Sequence, residues 1–141
     1  MSAPSDRYVV SACLAGIPCR YDGGCSPFFP VLQLVENGQA IPVCPEQLGG
    51  LPTPRIPAEI ANGRVITREG TDVTEAFRHG ACEALRLAKE YGCTRAVLKA
   101  RSPSCGCGPI YDGTFCRRLT EGQGIFARML LEAGFTVDSE E

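Results

Sequence analysis

The sequence predicts an α/β domain, a Rossmann-like three-layer fold with a mostly parallel central sheet and an inserted β-hairpin. Two patterns carry this expectation. Short apolar runs closed by Pro, Gly or Ser recur at residues 8–12, 40–43 and 95–98, as expected of strands buried on both faces. Amphipathic stretches alternate with these runs, and such alternation builds βαβ units whose strands lie side by side and parallel.

Taken in order, YVVSA (residues 8–12) predicts the first strand, and FFPVLQLVENG (28–38) a helix stopped by Gly38. AIPV (40–43) predicts the second strand. GRVITREGTDVT (63–74) then interrupts the alternation with a hairpin, expected to turn at Glu69 and Gly70. DVTEAFRHGACEALRLAKEYG (72–92) is the longest helical pattern and places Phe77, Ala81, Ala84, Leu85 and Ala88 on one face. Asp72 and Glu75 stand at capping-box spacing at its start. After the third strand, RAVL (95–98), GQGIFARMLLEAG (122–134) predicts a helix carrying Ile125, Met129, Leu130 and Ala133 and stopping at Gly134, and FTVDS (135–139) a last strand. Neither a repeat nor a linker divides residues 1–141, so one domain is expected.

Composition narrows the function. The chain has 141 residues, 44% hydrophobic and 21% charged, enough to bury a core without staples. A net charge of −2 with scattered Lys and Arg leaves no electrostatic footprint for a long nucleic acid or an anionic membrane, so a small-molecule substrate is expected. MSAPSDRYVV has no basic region followed by an apolar run, and no segment is apolar enough to span a bilayer, which points to the cytoplasm. No sequence signal bears on oligomeric state.

Nine cysteines are many for a reducing compartment, and an odd number cannot all pair. Cys13 follows the first strand, Cys44 the second, and Cys105 lies in the loop after RAVLKA. All three are therefore expected at carboxyl ends of strands, where open α/β sheets place their ligand crevice. Three thiolates converging there imply a metal. There is no C-x-x-C pair, so the ligands come from separate loops, and an open fourth position suits either a catalytic zinc or a cubane iron-sulfur cluster with one free iron. All-sulfur ligation favours the cluster. The lone His79 falls in the long helix and reads as a surface residue. Cys82 and Cys93 read as small core hydrophobes, and Cys107 as a packed loop thiol or a spare ligand or sulfur acceptor. Cys19, Cys25 and Cys116 are unassigned.

Chemistry-bearing neighbours sit beside these cysteines. PVCPE places Glu46 two residues past Cys44, a carboxyl suited to moving protons, although capping a helix or pairing with Arg55 are plainer roles for it. SPSC brings Ser102 and Ser104 to the rim of Cys105, each with a hydroxyl that can donate and accept. In GGLPTPRIPAE, Gly49 and Gly50 permit close backbone approach, and Arg55 can hold a carbonyl or carboxylate of a substrate.

SACLAGIPCRYDG, PVCPEQLGGLPTPRIPAE, DVTEAF, LKARSPSCG and GIFARMLLEAG, in this order and over nearly the whole chain, resemble the DUF523 family, whose characterised members are thiouracil desulfidases. The resemblance is to the short, single-domain form. It implies an oxygen-sensitive four-iron four-sulfur (4Fe-4S) cluster held by Cys13, Cys44 and Cys105, with the unique iron taking the sulfur of a thiolated uracil or uridine. It also implies a catalytic pair, Glu46 and Ser102. Two other readings stay open at this level: a non-catalytic iron-sulfur or redox sensor, and a sulfurtransferase that uses a persulfide on Cys105 or Cys107.

Overall fold

The computed structural model describes residues 6–141; residues 1–5, part of the stretch read for a leader, lie outside them. Val9 and Val10 are neighbours on strand β1 (Tyr8–Ser11), face opposite ways, and are both fully buried. A strand covered on both faces needs helices on both, and the chain supplies them. β1 lies inside a four-stranded parallel sheet with β2 (Ala40–Val43) on one side and β5 (Arg95–Leu98), then β8 (Thr136–Ser139), on the other, in the order β2-β1-β5-β8. Tyr8 is level with Ala40 and Arg95, so the three strands end together at Ser11, Val43 and Leu98.

On the Val9 face, helices α3 (Thr74–Glu90) and α4 (Ile125–Glu132) bury Ala81, Ala84 and Ala88 against Phe126, Ala127 and Leu130. On the Val10 face, α1 (Phe29–Glu36) contributes Val31 beside Leu14, Cys13 and Cys19. This is the expected three-layer α/β arrangement. The first strand is one residue shorter than expected, because Ala12–Ala15 turns into a 3-10 helix that closes on Gly16 at φ 87°.

Two antiparallel hairpins project from this frame. In the first, β3 (Ala58–Ala61) pairs with β4 (Arg64–Thr67) around Asn62 and Gly63, both at positive φ (52° and 76°), as a type I′ turn demands. The pairing turn therefore lies seven residues before the expected Glu69–Gly70. Glu69 and Gly70 belong to a second reversal, in which the Gly70 N–H donates to the Thr67 carbonyl at 2.8 Å. The second hairpin, β6 (Cys107–Tyr111) with β7 (Leu119–Gln123), takes up the GQ that the sequence pattern assigned to the last helix.

The capping box at α3 does not form. Asp72 accepts the Thr74 N–H at 2.9 Å, while Glu75 pairs with Arg78. Cys82 is exposed on α3 and is not a core residue, whereas Cys93 is buried as expected. The short helix α2 (Pro45–Leu48) crosses α3 backbone to backbone. A Cβ on Gly80 would overlap the Pro45 carbonyl oxygen, and one on Gly49 would overlap that of Ala76. Glycine on both sides is what lets α2 sit this deep.

Candidate functional site

Because β2, β1 and β5 are adjacent and end level, the loops that follow them share one edge of the sheet. A cavity of about 420 Å³ opens there, and Cys13, Cys44 and Cys105 all line it. Each thiol is placed by local backbone chemistry. The Cys13 carbonyl accepts the N–H of Gly16 at the end of the 3-10 turn and that of Ser26 from the loop before α1. Cys44 is the residue from which α2 starts, so its side chain leaves the sheet at the helix entrance. The Cys105 loop is folded around Ser102, whose Oγ accepts the N–H groups of Ser104 and Cys105 at 3.1 Å each. Gly106 and Gly124 admit that loop's backbone: a Cβ on Gly124 would lie 2.6 Å from the Ser104 carbonyl oxygen.

A fourth cysteine completes the group, and the sequence left it unassigned. Cys19 is buried at 2% exposure beside Cys13 and Cys44, and its carbonyl accepts the Cys44 thiol at 3.7 Å. Its thiol hydrogen-bonds both neighbours. That contact is the main reason the Cys44 pKa falls to about 7 and the Cys13 pKa falls too, while that of Cys19 itself rises. Lys99 on the cavity wall adds a positive charge that also favours the Cys13 thiolate. Cys105 differs: burial pushes it up to about 12 despite the nearby hydroxyls of Ser11 and Ser104. The shared hydrogen bonds of Cys19 thus favour the thiolate at Cys13 and Cys44, while burial disfavours it at Cys105.

Glu46 and Arg55 do form the ion pair that the sequence left as a plainer reading. Arg55 Nε donates to Glu46 Oε1 at 3.0 Å, with the two side chains only 7% and 16% exposed. The remaining guanidinium donors go to the Cys19 carbonyl at 2.9 Å, Thr53 Oγ1 at 2.9 Å and the Pro52 carbonyl at 3.1 Å. Arg55 therefore ties the Cys13–Cys19 loop to α2. The other carboxylate oxygen, Oε2, accepts the Ser104 hydroxyl at 3.0 Å, and Ser104 Oγ lies 3.0 Å from Ser102 Oγ. The structure thus brings Glu46, Ser102, Ser104 and Arg55 to one wall of the cavity.

The far wall comes from the two hairpins, which sequence reasoning did not connect to the site. Glu59 on β3 accepts the N–H groups of Gly113 and Phe115 from the β6–β7 loop at 3.0 and 3.2 Å, and Arg68 stacks over the Phe115 ring at 5.7 Å. Tyr111 and Phe115 face the cavity from there. Cys107 packs into the α3–α4 core, and Cys25, Cys116 and His79 are exposed. Among the described residues no helix is long and apolar enough to cross a membrane.

Residues 8–141 match the sequence profile of the 2-thiouracil desulfurase family. The chain belongs to that family. It is 43% identical over 142 residues to the uncharacterized protein YbbK of Bacillus subtilis (strain 168), a match covering 94% of each chain. A solved structure, the 4Fe-4S-dependent thiouracil desulfidase TudS (DUF523), superimposes with a TM-score of 0.91 at 44% identity, over 96% of this chain and 91% of the other. Membership of the desulfurase family makes this chain an enzyme, and the DUF523 resemblance read from its motifs stands.

The donor set of this family member suits an iron-sulfur cluster. Three thiols face one cavity, two of them with lowered pKa values. Thiols spread around a cavity in this way match a polynuclear group in which each takes its own iron.

Proposed function

We propose that this protein removes sulfur from a thiolated uracil or uridine, converting C=S and water into C=O and hydrogen sulfide with no net electron transfer. One observation carries the reading: in a desulfurase-family chain, Cys13, Cys44 and Cys105 share a cavity with the Glu46, Ser102 and Ser104 side chains. The three cysteines would hold a 4Fe-4S cluster. When bound, such a cluster supplies a Lewis-acidic iron for the thiocarbonyl sulfur.

The protein's own groups supply the rest. Glu46 takes a proton from the attacking water, and Ser102 orients that water or the oxyanion that develops at the thiocarbonyl carbon. Arg55 and Ser104, expected from the sequence to touch substrate, act in this reading by holding the two oxygens of Glu46, Arg55 through Nε and Ser104 through its hydroxyl. Tyr111 and Phe115 offer flat apolar surface to a pyrimidine ring. A cavity of about 420 Å³ suits a single base or nucleoside and not a long nucleic acid, and the free state of all nine cysteines suits the reducing cytoplasm.

The test is anaerobic purification and reconstitution, followed by iron and sulfide counts, a visible spectrum, and incubation with 2-thiouracil and 4-thiouridine. A brown protein with about four irons per chain that releases sulfide is expected. Colourless protein, or loaded protein that leaves every thioamide intact, would overturn the proposal.

A further inference from the structure

Building on the desulfidase reading, we infer that Ser104 is a positioning residue that joins Ser102 to Glu46 in a directed hydrogen-bond chain, along which the Ser102 hydroxyl proton passes to Glu46. The direction follows from counting hydrogens. A carboxylate only accepts, so the bond between Ser104 Oγ and Glu46 Oε2 takes the one hydrogen that Ser104 owns. A charged acceptor at 3.0 Å outcompetes the Cys105 sulfur at 3.6 Å for it. The 3.0 Å contact between the two serine oxygens must then be filled by the Ser102 hydrogen, pointing at Ser104. Ser102 Oγ meanwhile accepts two backbone N–H groups, those of Ser104 and Cys105.

This arrangement does more than hold a loop. If the Ser104 proton moves to Glu46 Oε2 and the Ser102 proton moves to Ser104 Oγ, one proton has travelled from Ser102 to Glu46 and no electron has changed hands. The oxygen left negative is the one already facing two amide donors, which is how an oxyanion is stabilised. A water at Ser102 then gives that oxygen a proton as its own oxygen adds to the thiocarbonyl carbon. Glu46 thus activates the water without touching it.

Ser104 is well placed for the middle position. It is 1% exposed, so solvent cannot substitute for its hydroxyl. Its carbonyl accepts the Phe126 and Ala127 N–H groups at 2.8 and 3.1 Å, which fixes its backbone to the start of α4.

The test compares kinetics of Ser104→Ala and Ser104→Thr at equal cluster content. Loss of the hydroxyl should lower kcat about 100-fold with KM unchanged, as for loss of a proton-transfer group, and Thr should restore most of it. Ser102→Ala combined with Ser104→Ala should be no slower than the slower of the two alone, because both break one chain. If Ser104→Ala does not fold, Ser104→Cys, a near-isostere with a weak donor, replaces it. Near wild-type kcat, or losses that multiply in the double variant, would overturn the inference. If wild-type protein desulfurates nothing, the enzymatic reading fails on its own, and neutron diffraction of cluster-free protein still decides the hydrogen positions. Deuterons running from Ser102 to Ser104 to Glu46 are expected; a Ser104 deuteron on Cys105 or Ser102 would overturn the chain.

Discussion

Gly80 on α3 and Pro45 on α2 meet so closely that the Pro45 carbonyl oxygen occupies the space a Gly80 Cβ would need. Pro45 stands between Cys44 and Glu46, so this contact sets the depth of both. Gly80→Ala is expected to force α2 outward, at a cost of about 1–3 kcal/mol for overpacking. The variant should melt lower and, after anaerobic reconstitution, retain less iron. Full iron content with an unchanged melting temperature would show that α2 moves freely.

The carboxylate of Glu46 has its own signature. Glu46→Gln keeps the three thiols and should retain the wild-type cluster spectrum, while turnover falls about 100-fold or more, the usual loss for a proton-transferring group. Arg55→Lys should retain the charge but lose the fork that reaches Glu46 and the Cys19 carbonyl together, lowering activity and cluster retention in parallel. Stopped assays on loaded protein, with iron counts, separate the two effects.

Thiol reactivity in cluster-free protein reads the Cys19 contact. Cys44, lowered from 9.0 to about 7 chiefly by Cys19, should alkylate with a rate that rises through pH 7. Cys93 and Cys105, raised by burial to about 11 and about 12, should stay unreactive there. Cys19→Ala should move the Cys44 profile upward, toward that of an ordinary thiol. Mass spectrometry of peptides labelled across a pH series checks this, and an unmoved Cys44 profile contradicts it.

At the start of α3, hydrogen bonds from Thr74, and then from Arg64, hold the Asp72 carboxyl near 2, below its ordinary 3.8. A depressed carboxyl stabilises the fold above its unfolded value, and that stability is lost as pH falls through the folded one. Asp72→Ala should therefore melt lower than wild type at pH 6, and the two curves should converge as the pH falls through 2. A gap that persists at low pH would assign the effect to packing.

Much of this was visible in the chain. The parallel strands announced themselves as short apolar runs: YVVS is buried at every position, and AIPV and RAVL, half-buried at two positions each, are still predominantly apolar. That Cys13, Cys44 and Cys105 meet at one cavity followed from topology alone, since parallel strands put their exits on one edge. The LTEGQ strand was not legible: it is polar and largely exposed, and only its pairing with Cys107–Tyr111 makes it a strand. Asn62–Gly63 was legible and carried the stronger turn signal, but Glu69–Gly70 also turns, and spacing alone does not say which reversal pairs the strands. The duties of Arg55, Ser104 and Cys19 depend on distances between loops far apart in sequence, which no local pattern encodes.

The order β2-β1-β5-β8 also has a consequence for how the site comes into being. A growing chain that has released β1 and β2 can pair them and bring Cys13 beside Cys44, yet the Cys105 thiol arrives only when β5 has docked on the other side of β1 and its loop has closed over Gly124. A partly synthesised chain therefore presents Cys13, Cys19 and Cys44 without Cys105, and the cavity that all four line exists only in a nearly finished protein.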